Sequence, residues 1–145
     1  MLIIRRVQPN DIFPVTALAY DTLPERYNPA IFNQFYENSA ESFLVAAQNN
    51  TIIGFLIGIK TTQTKARILM IAVKERHRNK GIGSTLLQQF LSDMQHHEVT
   101  SIGLELRTTN HVAFDFYKKH GFELVSIVQY FYQNQEHAYI MKKEL

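Results

Sequence analysis

RHRNKGIGSTLL, residues 76–87, decides how this chain is read. Arg76, Arg78 and Lys80 crowd around His77, Gly81 and Gly83 follow one residue apart, and an apolar pattern then begins. Just before it stands Arg67–Val73, RILMIAV, a strand pattern. Just after it, Leu86, Leu87, Phe90, Leu91 and Met94 recur at helical spacing. The unit is strand, glycine loop, helix. A helix N-terminus presents unpaired N–H groups and about half a positive charge, so it attracts anions. Glycines at 81 and 83 permit positive φ and close backbone approach, with three cations beside them. The combination suits a pyrophosphate. GxxxxGKS or GxxxxGKT is absent, so this is not a nucleoside-triphosphate loop. A GxGxxG dinucleotide fingerprint fails at its third glycine, where Leu86 stands. By itself the loop reads equally well as a plain helix start with solvated arginines.

Working outward, Leu2–Val7 reads as a strand, and Pro9, Asn10 and Asp11 open a helix to about Tyr20. Asp21–Tyr27 is a turn. Asn28-Pro29 starts a second helix with Ile31, Phe32, Phe35 and Tyr36 on one face. Phe43–Ala47 and Thr51–Ile59 form a hairpin around Gln48-Asn49-Asn50. Ile102–Leu106 is a strand, and Asn110–His120 is a helix stopped by Gly121. Glu123–Tyr132 and Ala138–Lys142 make a final hairpin. The order is one strand, two helices, three strands, helix, strand, helix, two strands. That is a mixed α/β sheet. No repeat or linker divides the chain, so a single domain over 1–145 is expected.

Composition narrows the chemistry. Of 145 residues, 46% are hydrophobic and 19% charged, enough for a core and unlike a disordered chain. The net charge of +2 argues against bulk nucleic-acid binding. The absence of cysteine removes disulfides, thiolate catalysis and thiolate metal sites. The six histidines show no ligand spacing such as HExxH, so no metal is expected; His77, His96, His97 and His120 read as surface residues. No apolar run approaches the ~20 residues that span a bilayer, and MLIIRRVQPND is too short in its apolar part for a signal peptide. A cytoplasmic protein without membrane or nucleic-acid partners is expected.

Arg78-x-x-Gly81-x-Gly83 after an apolar strand resembles the acetyl-CoA loop, Q/R-x-x-G-x-G/A, of the GCN5-related N-acetyltransferase (GNAT) superfamily. NHVAFDFYKKHGF, residues 110–122, is similar to that superfamily's N-x-x-A-x-x-F-Y-x-x-x-G-F. Together, in this order, the two motifs are specific, and they cover residues 67 to 143. In the N-terminal half, Leu23-Pro24-Glu25-Arg26-Tyr27 is similar to the L-P-E-N-Y of protein Nα-acetyltransferases. Gln129-Tyr130-Phe131 stands where that group carries a Tyr-Tyr pair. Leu104-Glu105-Leu106-Arg107 is closer to the L-E-V-R of the ribosomal-protein type than to L-H-V. The resemblance implies a mostly antiparallel central sheet of about seven strands flanked by four helices. It also implies transfer of acetyl from acetyl-CoA to protein or peptide N-termini, ribosomal proteins among the targets.

The implied cofactor-binding residues are Ile71, Ala72 and Val73 of the strand, Arg78, Asn79, Lys80, Gly81, Ile82, Gly83 and Ser84 of the loop, and Asn110 and Tyr117. Backbone N–H groups of residues 71–73 are the implied oxyanion donors. Leu23, Pro24, Glu25, Tyr27, Tyr130 and Phe131 are the implied substrate contacts. The residues themselves suggest the proton chemistry. An α-amino group titrates near 7.7–8.0 and a lysine near ~10.4, so an N-terminal amine needs only modest help from a base. Strand alternation puts Gly103 and Glu105 on one face, opposite Ile102, Leu104 and Leu106, so Glu105 is the first candidate base and Glu25 the second. Tyr117 is the candidate acid for the departing thiolate. Two other readings stay open: a small-amine acetyltransferase acting on polyamines, amino acids or antibiotics, and a non-catalytic acyl-CoA sensor.

Overall fold

A computed structural model describes residues 1–145. The elements are β1 (Leu2–Arg6), α1 (Ile12–Thr22), α2 (Ala30–Ser39), β2 (Phe43–Gln48), β3 (Thr51–Lys60), β4 (Lys65–Val73), α3 (Ile82–His96), β5 (Ser101–Arg107), α4 (His111–Lys119), β6 (Glu123–Val128) and β7 (Ala138–Glu144). All seven strands form one sheet in the order β1-β2-β3-β4-β5-β7-β6. Every neighbouring pair is antiparallel except β4 with β5. The element types, their order and the mixed sheet agree with the sequence reading. One strand is shorter than expected: β6 ends at Val128, and the chain turns at Tyr130, whose φ is +55°.

Local chemistry accounts for the joints. Asn49 and Asn50 both take positive φ, the two-residue turn that matches the twist of a hairpin. Asn28 Oδ1 accepts the Ala30 N–H at 3.0 Å and starts α2. Asp11 is buried where β1 hands over to α1, accepting the Gln8 N–H at 2.7 Å and two Arg5 N–H groups at 2.6 and 3.1 Å. β2 and β3 are apolar almost throughout because helices cover both their faces. Val15, Leu18 and Phe32 of α1 and α2 pack on Phe43, Val45, Phe55 and Ile57. Leu86, Leu87, Phe90 and Met94 of α3 pack with Leu44, Ile53, Tyr117 and Phe122 on the opposite face.

Two features of this sheet make the site. β4 and β5 pair only at Lys65↔Ser101, Ala66↔Ile102 and Arg67↔Gly103, and beyond that they part. On the α1/α2 face, the Gly103, Glu105 and Arg107 side of β5 is left only half-buried. No helix is long and apolar enough to cross a membrane.

Candidate active site

The parted strands leave backbone groups of β4 unpaired. Lys74 N–H donates to Ile53 O at 2.8 Å, which fixes the phase of the β3–β4 ladder. By alternation, Ala72 faces β3 while Ile71 and Val73 turn their N–H and C=O groups into the gap. A Cβ on Gly54 of β3 would lie 3.0 Å from Ala72 O, which agrees with that phase. The Ala72 amide is thus turned to β3, and of residues 71–73 it is Ile71 and Val73 whose amides face the gap. Val73 O accepts from Arg78 Nε at 3.0 Å, so Arg78 ties the glycine loop to the end of β4.

The loop enters α3 through two left-handed residues, Asn79 at φ +62° and Gly81 at φ +80°. A Cβ at Gly81 would meet nothing within 4 Å, so the glycine serves the backbone turn and leaves the approach open. Gly83 is different from expectation: it is helical, and its Cα faces the Phe116 ring, 3.6 Å from where a Cβ would stand. Thr85 N–H already bonds to Gly81 O, so Ile82, Gly83 and Ser84 carry the free amides of the helix start. Arg78, Asn79 and Lys80 are exposed beside them. Asn110 Oδ1 caps α4 by accepting the Ala113 N–H at 3.1 Å, which leaves its amide NH2 free. Open left-handed turn, free amides and surrounding cations fit the diphosphate of acetyl-CoA.

Tyr117 lies at the heart of the α4 side, 5% exposed, its ring edge-on to Phe116 and Phe122. Burial pushes its ionisation well above the ordinary phenol value. Its hydroxyl makes no hydrogen bond within the protein and is not completely sealed from solvent.

On the bare face of β5 the structure gathers charged groups from four elements. Glu105 is paired with Arg67 of β4. Glu25, from the α1–α2 loop, is paired with Arg107 of β5. Glu136, just before β7, reaches the same guanidinium at 3.4 Å. The Tyr132 ring lies under Arg107 at 4.2 Å. Burial, then the nearby Glu25, raise the Tyr132 phenol to about 12. Burial and Glu25 also raise Tyr27, whose ring packs edge-on against Phe32 at 6.4 Å. Leu23 packs on the core beneath and Pro24 is exposed.

Arg67, Arg107, Tyr132 and Glu136 were not anticipated. Strand alternation could have found Arg107, which follows Glu105 by two; nothing local marks the others. Tyr130 stands apart from this cluster. It is 66% exposed with its ring on His137, and Tyr132 is the tyrosine on Arg107. Phe131 is 47% exposed and contacts the Tyr132 ring edge-on. His120 is corrected from surface residue to half-buried partner of Ser84. No three His, Cys, Asp or Glu side chains converge as metal ligands do.

Comparison with known proteins agrees with this geometry. The acetyltransferase (GNAT) family matches residues 12–122. The N-alpha-acetyltransferase of Saccharolobus solfataricus is 29% identical over 98% of this chain and 92% of its own. The crystal structure of Ard1 from Thermoplasma volcanium superposes with a TM-score of 0.95 at 37% identity, covering 99% of this chain and 97% of that one. Arabidopsis thaliana Naa50, solved with a bisubstrate analogue, gives 0.86 at 25% identity, covering 99% of each chain. The parted β4–β5 pair, the glycine loop and these matches define a GNAT acetyltransferase. This chain belongs to that family and is an acetyl-CoA-dependent N-acetyltransferase.

Proposed function

We propose that the chain acetylates the free α-amino group at the N-terminus of a protein or peptide. The charge count of the β5 cluster carries this reading. Glu25, Glu105 and Glu136 outnumber Arg67 and Arg107 by one, so the cluster is balanced when a substrate ammonium joins it. The relatives named as N-alpha-acetyltransferases support the same reading. Acetyl-CoA supplies the thioester carbonyl carbon that the amine attacks and the thiolate that leaves.

Ile82, Gly83 and Ser84 hold the diphosphate with Arg78, Asn79 and Lys80 beside it, and Asn110 offers its amide. The free N–H groups of Ile71 and Val73 stabilise the oxygen on which charge develops, a contribution that single donors make at about 3 kcal/mol. Glu25 and Glu105 each have one oxygen on an arginine and the second free. A free oxygen takes the ammonium proton, directly or through one water. Tyr117 gives its proton, or a hydrogen bond, to the thiolate. Leu23, Pro24, Tyr27, Phe131 and Tyr132 flank the peptide.

The test is thiol release from acetyl-CoA with peptides beginning Ser, Ala, Met-Leu or Met-Glu, including ribosomal-protein N-termini, beside N-blocked Lys peptides and spermidine. Turnover confined to free N-termini is expected. Turnover confined to spermidine or blocked Lys peptides would replace this reading with a small-amine or side-chain acetyltransferase. Acetyl-CoA binding without any turnover would replace it with a sensor. Glu25→Gln and Glu105→Gln together are expected to lower kcat most below pH 8, where the amine must still be deprotonated.

A further inference from the structure

Ser84 is the third residue of α3, inside the turn whose amides are free. Its Oγ lies 2.9 Å from His120 Nε2. His120 is held at the end of α4: its N–H bonds to the Phe116 and Tyr117 carbonyls, and its ring lies 4.9 Å from that of Phe116. We propose that His120 is a positioning residue that makes the anion-binding end of α3 titratable, tightening acetyl-CoA binding as the pH falls. The inference rests on the assignment of the diphosphate to that helix end.

The donor logic is simple. A neutral imidazole nitrogen can either accept the Ser84 proton or donate to Ser84 Oγ. Once protonated, His120 can only donate. Ser84 Oγ must then accept from Nε2–H, and its own O–H is free to donate to an anion bound at the amides of Ile82, Gly83 and Ser84. A phosphate there gains one donor and one nearby positive charge. The charged groups acting on His120 are Lys119 of α4 and Lys143 of β7; α3 contributes only the Ser84 hydroxyl, and no carboxylate acts on the ring. Burial, then those two lysines, hold the imidazole below its ordinary value, so the proton is gained on the acid side of neutrality. A bound anion offsets the lysines and favours the proton in return, because linkage is reciprocal.

Calorimetric titration with dephospho-CoA between pH 5.5 and 8.5 tests this. That ligand lacks the phosphomonoester, so its charge stays constant over the range. The dissociation constant is expected to fall roughly fivefold from pH 8 to pH 6, the scale of one partly screened charge. His120→Gln keeps a donor near Ser84 and cannot titrate, so it is expected to flatten the dependence. His77→Gln, in the same loop region, is expected to preserve it. The His120 ring proton resonance is expected to titrate at higher pH once dephospho-CoA is bound. An equal pH slope in wild type and His120→Gln, or an unmoved His120 titration, overturns the proposal. Absence of dephospho-CoA binding at every pH overturns the site assignment and the inference with it. Dephospho-CoA binding with no peptide turnover would sink only the α-amine reading.

Discussion

The Tyr117 ring is packed among aromatic residues while its hydroxyl has no hydrogen-bond partner within the protein, and these two facts set its chemistry together. Burial disfavours the phenolate, so the group stays protonated through neutral and mildly alkaline pH. Removing only the oxygen should leave the packing intact. Tyr117→Phe is expected to lower kcat about 10²-fold, at the low end of what a positioned acid contributes. The acetyl-CoA dissociation constant should stay within about twofold. An unchanged kcat in steady-state assays would remove Tyr117 from the acid role. Its position was legible in sequence because Ala113 and Tyr117 lie one helical turn apart. Its burial was not, because the cover comes from Phe122, beyond the helix.

Elements carry these residues into place, and the loop before β7 is held at several points. Tyr130 and Gln135 are both left-handed non-glycine residues, at φ +55° and +67°. Tyr130 N–H donates to His137 Nδ1 at 3.0 Å, and Thr108 N–H donates to His137 O at 3.1 Å. Between these anchors the loop presents Tyr132 and Glu136 to Arg107. His137→Leu removes the acceptor and is expected to raise the peptide KM about fivefold with little change in acetyl-CoA affinity. His137→Asn offers an oxygen in a similar place and is expected to recover most of the loss. Equal behaviour of the two variants would show that the imidazole does not hold the loop.

A second element-scale test concerns the bulge between β3 and β4, where the register shifts between Ile57 and Gly58 and the extra residue, Leu69, lies in β4. A Cβ at Gly58 would stand against the Phe90 ring and 3.1 Å from Arg67 O. Gly58→Ala is expected to cost about 2 kcal/mol and to lower Tm by about 6 °C. Adding Phe90→Leu should return part of it. A Tm equal to wild type in Gly58→Ala would mean that α3 and β3 yield freely there. The bulge itself left no mark in RILMIAV, which reads as an unbroken strand.

At the scale of the whole molecule, acid sensitivity gathers at the joint of β1 and α1. Burial pushes the Asp11 carboxyl up, but the Arg5 fork and the Gln8 N–H together outweigh it and hold it below the ordinary range. A lowered native value means that its stabilisation is present above about pH 4 and is lost as the pH falls through that value. Asp11→Asn is expected to reduce stability by about 2 kcal/mol at pH 7, given the partial exposure of Arg5. The difference should shrink as the pH falls through the lowered native value. Parallel wild-type and variant curves of Tm against pH would place the acid sensitivity elsewhere.

Short-range chemistry by itself determined much of this protein. The strand, glycine loop and helix of residues 67–94, the Asn110 cap, the Asn49-Asn50 turn and the outward face of β5 all follow from periodicity and backbone preference over a few residues. Family motifs built on those segments pointed to acetyl-CoA. Only the tertiary structure decided that β4 and β5 part after Arg67, turning the Ile71 and Val73 amides into the gap and Ala72 away. It alone joined Arg67 to Glu105 across 38 residues and Arg107 to Glu25 across 82. It alone put Tyr132 on Arg107 and His120 on Ser84. Such contacts depend on strand register and on how irregular loops close, and neither leaves a repeating pattern in the chain.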